Sequence, residues 1–72
     1  MEKLTKQEVI ERVKYIFDVS GDGEVAHIYE DKLYYDFVDC LKNDLYKTKK
    51  EIVEVAIELA KVRGIDFARW HA

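Results

Sequence analysis

The chain has no proline, three glycines, one cysteine and no long apolar run. Each scarcity excludes something. With no proline and 49% apolar residues, the composition suits a compact helical unit and argues against disorder. A lone cysteine, Cys40, cannot close an internal disulfide. It favours a reducing compartment and reads as a small, half-buried hydrophobe. No apolar run approaches the roughly 18 residues needed to cross a membrane, and no basic-then-apolar signal segment opens the chain. A cytoplasmic protein with no membrane partner is expected. At 72 residues the chain makes one domain, 1–72, near the lower size limit for folding without staples. A chain this small buries only about 60–65% of its unfolded surface, so marginal stability is expected.

What is present is unevenly charged. The net charge is −3. Residues 18–44 carry eight acids (Asp18, Asp22, Glu24, Glu30, Asp31, Asp36, Asp39, Asp44) against Lys32 and Lys42, a net of −6. The flanking thirds are slightly basic. An acidic middle disfavours a phosphate backbone, so no nucleic-acid partner is expected. Lys47, Lys49 and Lys50 form a small basic patch that reads as a solvated helix start.

Three helices are legible, with no repeat or linker between them. Thr5-Lys6-Gln7-Glu8 is a capping box. Val9, Ile10, Val13, Ile16 and Phe17 follow it as one apolar stripe. Ser20-Gly21-Asp22-Gly23 breaks the pattern, and Asp22 is a natural N-cap for a second helix reaching about Asn43. Ala26, Tyr29, Leu33, Phe37, Cys40 and Leu41 set its core side. Thr48-Lys49-Lys50-Glu51 is a second capping box. Behind it, Ile52, Val53, Val55, Ala56, Ile57, Leu59, Ala60 and Val62 cover more than half a helix's circumference, the mark of a central helix buried on two sides. Gly64 closes that helix as a C′ glycine. Ile65, Phe67 and Trp70 make the tail too apolar for a free end, with Asp66 capping a short last turn. The expected fold is all-α, a three-helix bundle with a docked C-terminal helical turn.

Phe17-Asp18-Val19-Ser20-Gly21-Asp22-Gly23 imitates the first half of a calcium loop, with Asp18, Ser20 and Asp22 at the first, third and fifth places. The twelfth place, which must supply a bidentate carboxylate, is Tyr29; Glu30 falls one residue late and is turned away by about 100°. Each residue also fits a plain turn and cap. Calcium binding through this incomplete loop stays as an alternative, and no cofactor is expected.

Glu30 fits its helix least well, because it falls between Phe37 and Leu41 on the apolar side, with His27 and Asp31 toward the acidic face. A carboxylate among core positions must be paired or hydrogen-bonded. The structural reading is a polar cluster of His27, Glu30, Arg63 and Arg69, in which Glu30 pins the tail through Arg69 or Arg63. His27, Glu30 and Asp31, joined by His71, also offer mixed nitrogen and oxygen ligands for a transition metal, although a carboxylate-bridged di-metal bundle would need more helices. Cys40 has no predicted catalytic base beside it, Ser20 sits in a turn without one, and a bundle this small offers little pocket, so the chain is read as non-enzymatic.

Ala26-His27-Ile28-Tyr29-Glu30-Asp31-Lys32-Leu33, then Asp36-Phe37, then Ile65-Asp66-Phe67-Ala68-Arg69-Trp70 resembles a group of short bacterial and phage-type helical proteins. Their pattern is Ala-His-x-x-Glu-Asp-x-Leu, an Asp-Phe pair, and a terminal Ile-Asp-Phe-x-Arg-Trp. The resemblance spans residues 26–72 and brings no activity with it. It implies a prokaryotic or phage origin, and that the second helix and the tail belong together.

The functional expectation is a small interaction factor, a phage or prophage accessory protein that binds a host protein. Its surface would be the acidic, tyrosine-bearing helix face of Glu24, Asp31, Tyr35, Asp36 and Asp39, with Ile28 on the same side.

Overall fold

A computed structural model describes residues 2–67 as an all-α three-helix bundle. Helix α1 spans Lys6–Asp18, α2 Gly23–Lys42 and α3 Lys49–Ala60, and a 3-10 turn, Lys61–Gly64, continues α3. The three caps read from the sequence all form. Thr5 Oγ1 accepts the Glu8 amide at 3.1 Å, Thr48 Oγ1 the Glu51 amide at 3.1 Å, and Asp22 Oδ1 the Val25 amide at 3.2 Å. Each satisfies a backbone donor that the first helical turn leaves without a partner. Asp44, at φ 54°, turns the chain between α2 and α3; a short polar side chain tolerates that left-handed backbone.

The core is built from Val9, Ile16, Ala26, Leu33, Val55, Leu59 and Val62, all nearly sealed from solvent. Helix α1 is the central element and packs against α2, α3 and the 3-10 turn, while α2 and α3 meet each other less. This corrects the expectation that α3 is central. Val55 and Leu59 face inward, but Val53 and Ile57 on the far side of α3 are exposed. Among the described residues, no further layer covers that second apolar side.

Other details shift by a fraction of a turn. Ile10 and Phe17 of the α1 stripe are exposed, as are Tyr29 and Leu41 at the margins of the α2 core face. The α2 side facing the core instead runs through Ala26, Glu30, Leu33 and Cys40, so Glu30 takes a position expected to be apolar. Cys40 is fully buried, not half-buried. Gly64 ends the 3-10 turn without a positive φ, so it is not a left-handed cap. A 3-10 turn stands at 61–64, ahead of Asp66, and the last turn expected after Asp66 lies outside the described residues. Ile65 and Phe67 are buried, as the tail-docking expectation requires. The expectations for Arg69, Trp70 and His71 lie outside the described residues.

Candidate functional site

Two features of α2 stand out, an outward ridge and a polar cluster on its flank. The ridge follows from helical spacing. Ile28, Tyr35 and Val38 come round to one side, opposite the Leu33 line that faces the core. They are exposed to 56%, 70% and 55%. Glu24 and Asp31 are exposed on the same side, and Asp39 is half-buried with a loose contact to Lys42 at 3.9 Å. Asp36 is placed differently. Its Oδ2 accepts from Arg12 Nη1 of α1 at 2.8 Å and lies 3.9 Å from Lys32, so it ties α2 to α1. Of the five residues expected to form the binding face, four line the ridge and the fifth belongs to the seam with α1.

Beside that seam a cavity of about 230 Å³ opens between α1 and α2, lined by Glu11, Arg12, Tyr15, Ile16, Tyr29 and Lys32. The Tyr15 and Tyr29 rings meet edge to face at 4.9 Å, the geometry aromatic quadrupoles favour. Sequence reasoning missed this cavity and the exposure of Val38. The α2 wheel held the signal for Val38, three residues after Tyr35. No pattern within one helix could place Tyr15 against Tyr29.

The second feature is the cluster. His27 Nε2 lies 3.3 Å from Asp31 Oδ2, and His27 Nδ1 lies 4.0 Å from Glu30 Oε1. Glu30 is 8% exposed and is not without a partner. Arg63 is exposed on the 3-10 turn, and among the described residues no ion pair joins it to Glu30. Its expected role in the cluster is therefore not found there. Ligand atoms of His27, Glu30 and Asp31 all lie within 4.8 Å of one another.

The calcium-like loop takes another form. Asp18 ends α1 and α2 begins at Gly23, so only residues 19–22 connect them. The seventh-place carbonyl that a calcium loop turns toward its ion belongs to Glu24, inside α2. One Asp22 oxygen caps that helix. Asp18, Ser20 and Asp22 thus serve a tight helix–helix turn.

At the far end of α2 a different arrangement joins three segments. The Tyr46 hydroxyl donates to the Leu4 carbonyl at 2.6 Å, and the Leu4 amide donates to Cys40 Sγ at 3.2 Å. Burial, with the Cys40 thiol next to it, pushes the Tyr46 phenol well above its ordinary value. Lys3 pairs with Glu51, whose other oxygen accepts the Lys47 amide at 2.9 Å. The hydrogen bond from Lys3 and that from the Lys47 amide hold the Glu51 carboxyl below the usual range. This end fixes the N-terminal segment to the bundle.

Comparison with family models, with curated proteins and with solved structures gives no match. No helix among the described residues is long and apolar enough to cross a membrane.

Proposed function

We propose that the protein is a small non-enzymatic interaction factor that docks on a basic surface of a partner protein through the outer ridge of α2. The observation carrying this reading is the row of Ile28, Tyr35 and Val38, each more than half exposed, on a helix side bordered by Glu24, Asp31 and Asp39. Single exposed apolar residues are ordinary, but three on one helix side with acids around them offer an aromatic anchor inside a charged rim. The acids would steer a basic partner and set the salt dependence of binding, while Tyr35 and its neighbours would supply the desolvated contact. The seam cavity beside Tyr29 and Lys32 gives one partner side chain a place to insert.

The likeness of residues 26–72 to short bacterial and phage-type proteins supports a prokaryotic or phage origin only; the accessory role in a host cytoplasm, with a host protein as partner, is our reading of the ridge. The test begins with zero-length crosslinking of the intact chain in host extract, followed by binding measurements with the purified partner. Tyr35→Ala and the charge reversal Asp39→Lys should each weaken binding at least about tenfold while leaving the helical circular dichroism unchanged. Binding that survives both changes would show that the ridge is only a solvated helix face.

A further inference from the structure

We propose that His27, Glu30 and Asp31 form a binding site for one divalent transition-metal ion of the zinc, nickel or copper class. The three residues sit at i, i+3 and i+4, so one turn of α2 presents them together without help from loop geometry. Their ligand atoms lie within 4.8 Å of one another. Atoms bound to one ion at bond lengths of about 2.0–2.2 Å stand roughly 3–3.5 Å apart, and His27 Nε2 and Asp31 Oδ2 are already at 3.3 Å. Side-chain rotation closes the remaining gap.

A second observation points the same way. His27 Nδ1 is shut off from solvent and makes no hydrogen bond among the described residues. Glu30 Oε1 lies 4.0 Å from it, beyond hydrogen-bond range. Buried polar atoms without partners are uncommon and costly. An ion at Nε2 fixes the ring proton on Nδ1, and as Glu30 turns toward the ion the oxygen that does not ligate is left to accept that N–H.

The donor set selects the class of ion. Imidazole with two carboxylates suits zinc, nickel or copper. Calcium would need six to eight oxygens, more than these side chains hold. One oxygen from each carboxylate, one ring nitrogen and water complete a site open on the Asp31 side, since Asp31 is half exposed. The site shares Asp31 with the border of the docking ridge but does not require Tyr35 or Asp39, so the two proposals are tested separately.

The experiment is calorimetric titration of the intact chain with Zn²⁺ alone, in a buffer that does not chelate it. One ion per chain is expected, at micromolar affinity or better. His27→Ala and Asp31→Asn, both at partly exposed side chains, should weaken it at least about tenfold and stay folded by circular dichroism. Glu30→Gln should weaken it less than His27→Ala. No saturable binding, or unchanged affinity in His27→Ala, overturns the proposal. So does loss of binding in His71→Ala with His27→Ala unaffected, which moves the ion to the tail. A Co²⁺ spectrum with a thiolate charge-transfer band would place the ion on Cys40 and overturn it equally.

Discussion

Tyr46 and Tyr35 are the same side chain used in opposite ways. Tyr46 is 5% exposed at the end where Leu4, Cys40 and α3 converge, with its hydroxyl bonded to the Leu4 carbonyl. Tyr35 stands out from the middle of α2, 70% exposed. The difference lies in the neighbours. The sealed end offers a carbonyl within reach and apolar walls around the ring, so burial leaves no polar atom stranded. Among the described residues, the ridge has only the next helical turns beside it. The first region ties three segments of the chain together, and the second is the one we propose for recognition, on which the fold should not depend.

The largest effect that tests this contrast is Tyr46→Ala. It removes a buried aromatic ring and strands the Leu4 carbonyl, and should cost about 3–5 kcal/mol. In a domain this small that is most of the stability, so urea unfolding should show a chain largely unfolded without denaturant. A loss below about 1 kcal/mol would mean the sealed end is not what holds the bundle.

Tyr46→Phe keeps the ring and removes the hydroxyl, and should cost about 1–3 kcal/mol for the unsatisfied carbonyl. The same hydroxyl gives a pH signature. Its folded pKa is raised, chiefly by burial, above the ordinary 10.0 of the unfolded chain. The contribution is therefore fully present below pH 10 and is lost as pH rises beyond it, when the unfolded phenol releases its proton and the folded one does not. Thermal midpoints should fall more steeply above pH 10 in the native chain than in Tyr46→Phe. Parallel curves would show that the phenol ionises alike in both states.

The contrast also explains what the sequence disclosed. Thr5, Asp22 and Thr48 announced their helices because a cap needs only one side chain and an amide two or three residues ahead. Glu30 was legible as a misfit because a helical wheel fixes which side a residue occupies. Its neighbours His27 and Asp31 followed from the same wheel. The Tyr46–Leu4 bond joins residues 42 apart and has no local signature. Nor did the pattern show that α1 would be central, since α3 has the wider apolar surface and only tertiary packing decides which side is covered. Asp36 was placed outward for a related reason: its pairing depends on Arg12 of a different helix.

A smaller effect is expected at that seam. Arg12 and Asp36 meet at 2.8 Å with both side chains about 30% exposed. Solvent screens the pair, so Asp36→Ala should cost no more than about 1 kcal/mol, less at high salt. A double-mutant cycle with Arg12→Ala gives the coupling directly. A coupling of several kcal/mol would move the seam into the same class as the sealed end and blur the distinction between them.

The smallest effect is the most telling for the ridge. Tyr35→Ala removes a ring whose surface is mostly in water already, so the change on folding is slight. The cost should stay within about 0.5 kcal/mol, as for surface substitutions generally. The wheel places Ile28 and Val38 on the same side, and Ile28→Ser and Val38→Ser should behave alike. Unfolding midpoints in urea provide the measurement, with unchanged slopes showing that the unfolded state is not altered. The triple variant should then lose no more than about 1.5 kcal/mol, the sum of three such effects, give or take a small coupling between the i, i+3 neighbours Tyr35 and Val38. If it loses several kcal/mol, the three side chains are packing against something the bundle needs. The outer side of α2 would then be part of the fold's support, and the separation between the end that holds and the face proposed for binding would not stand.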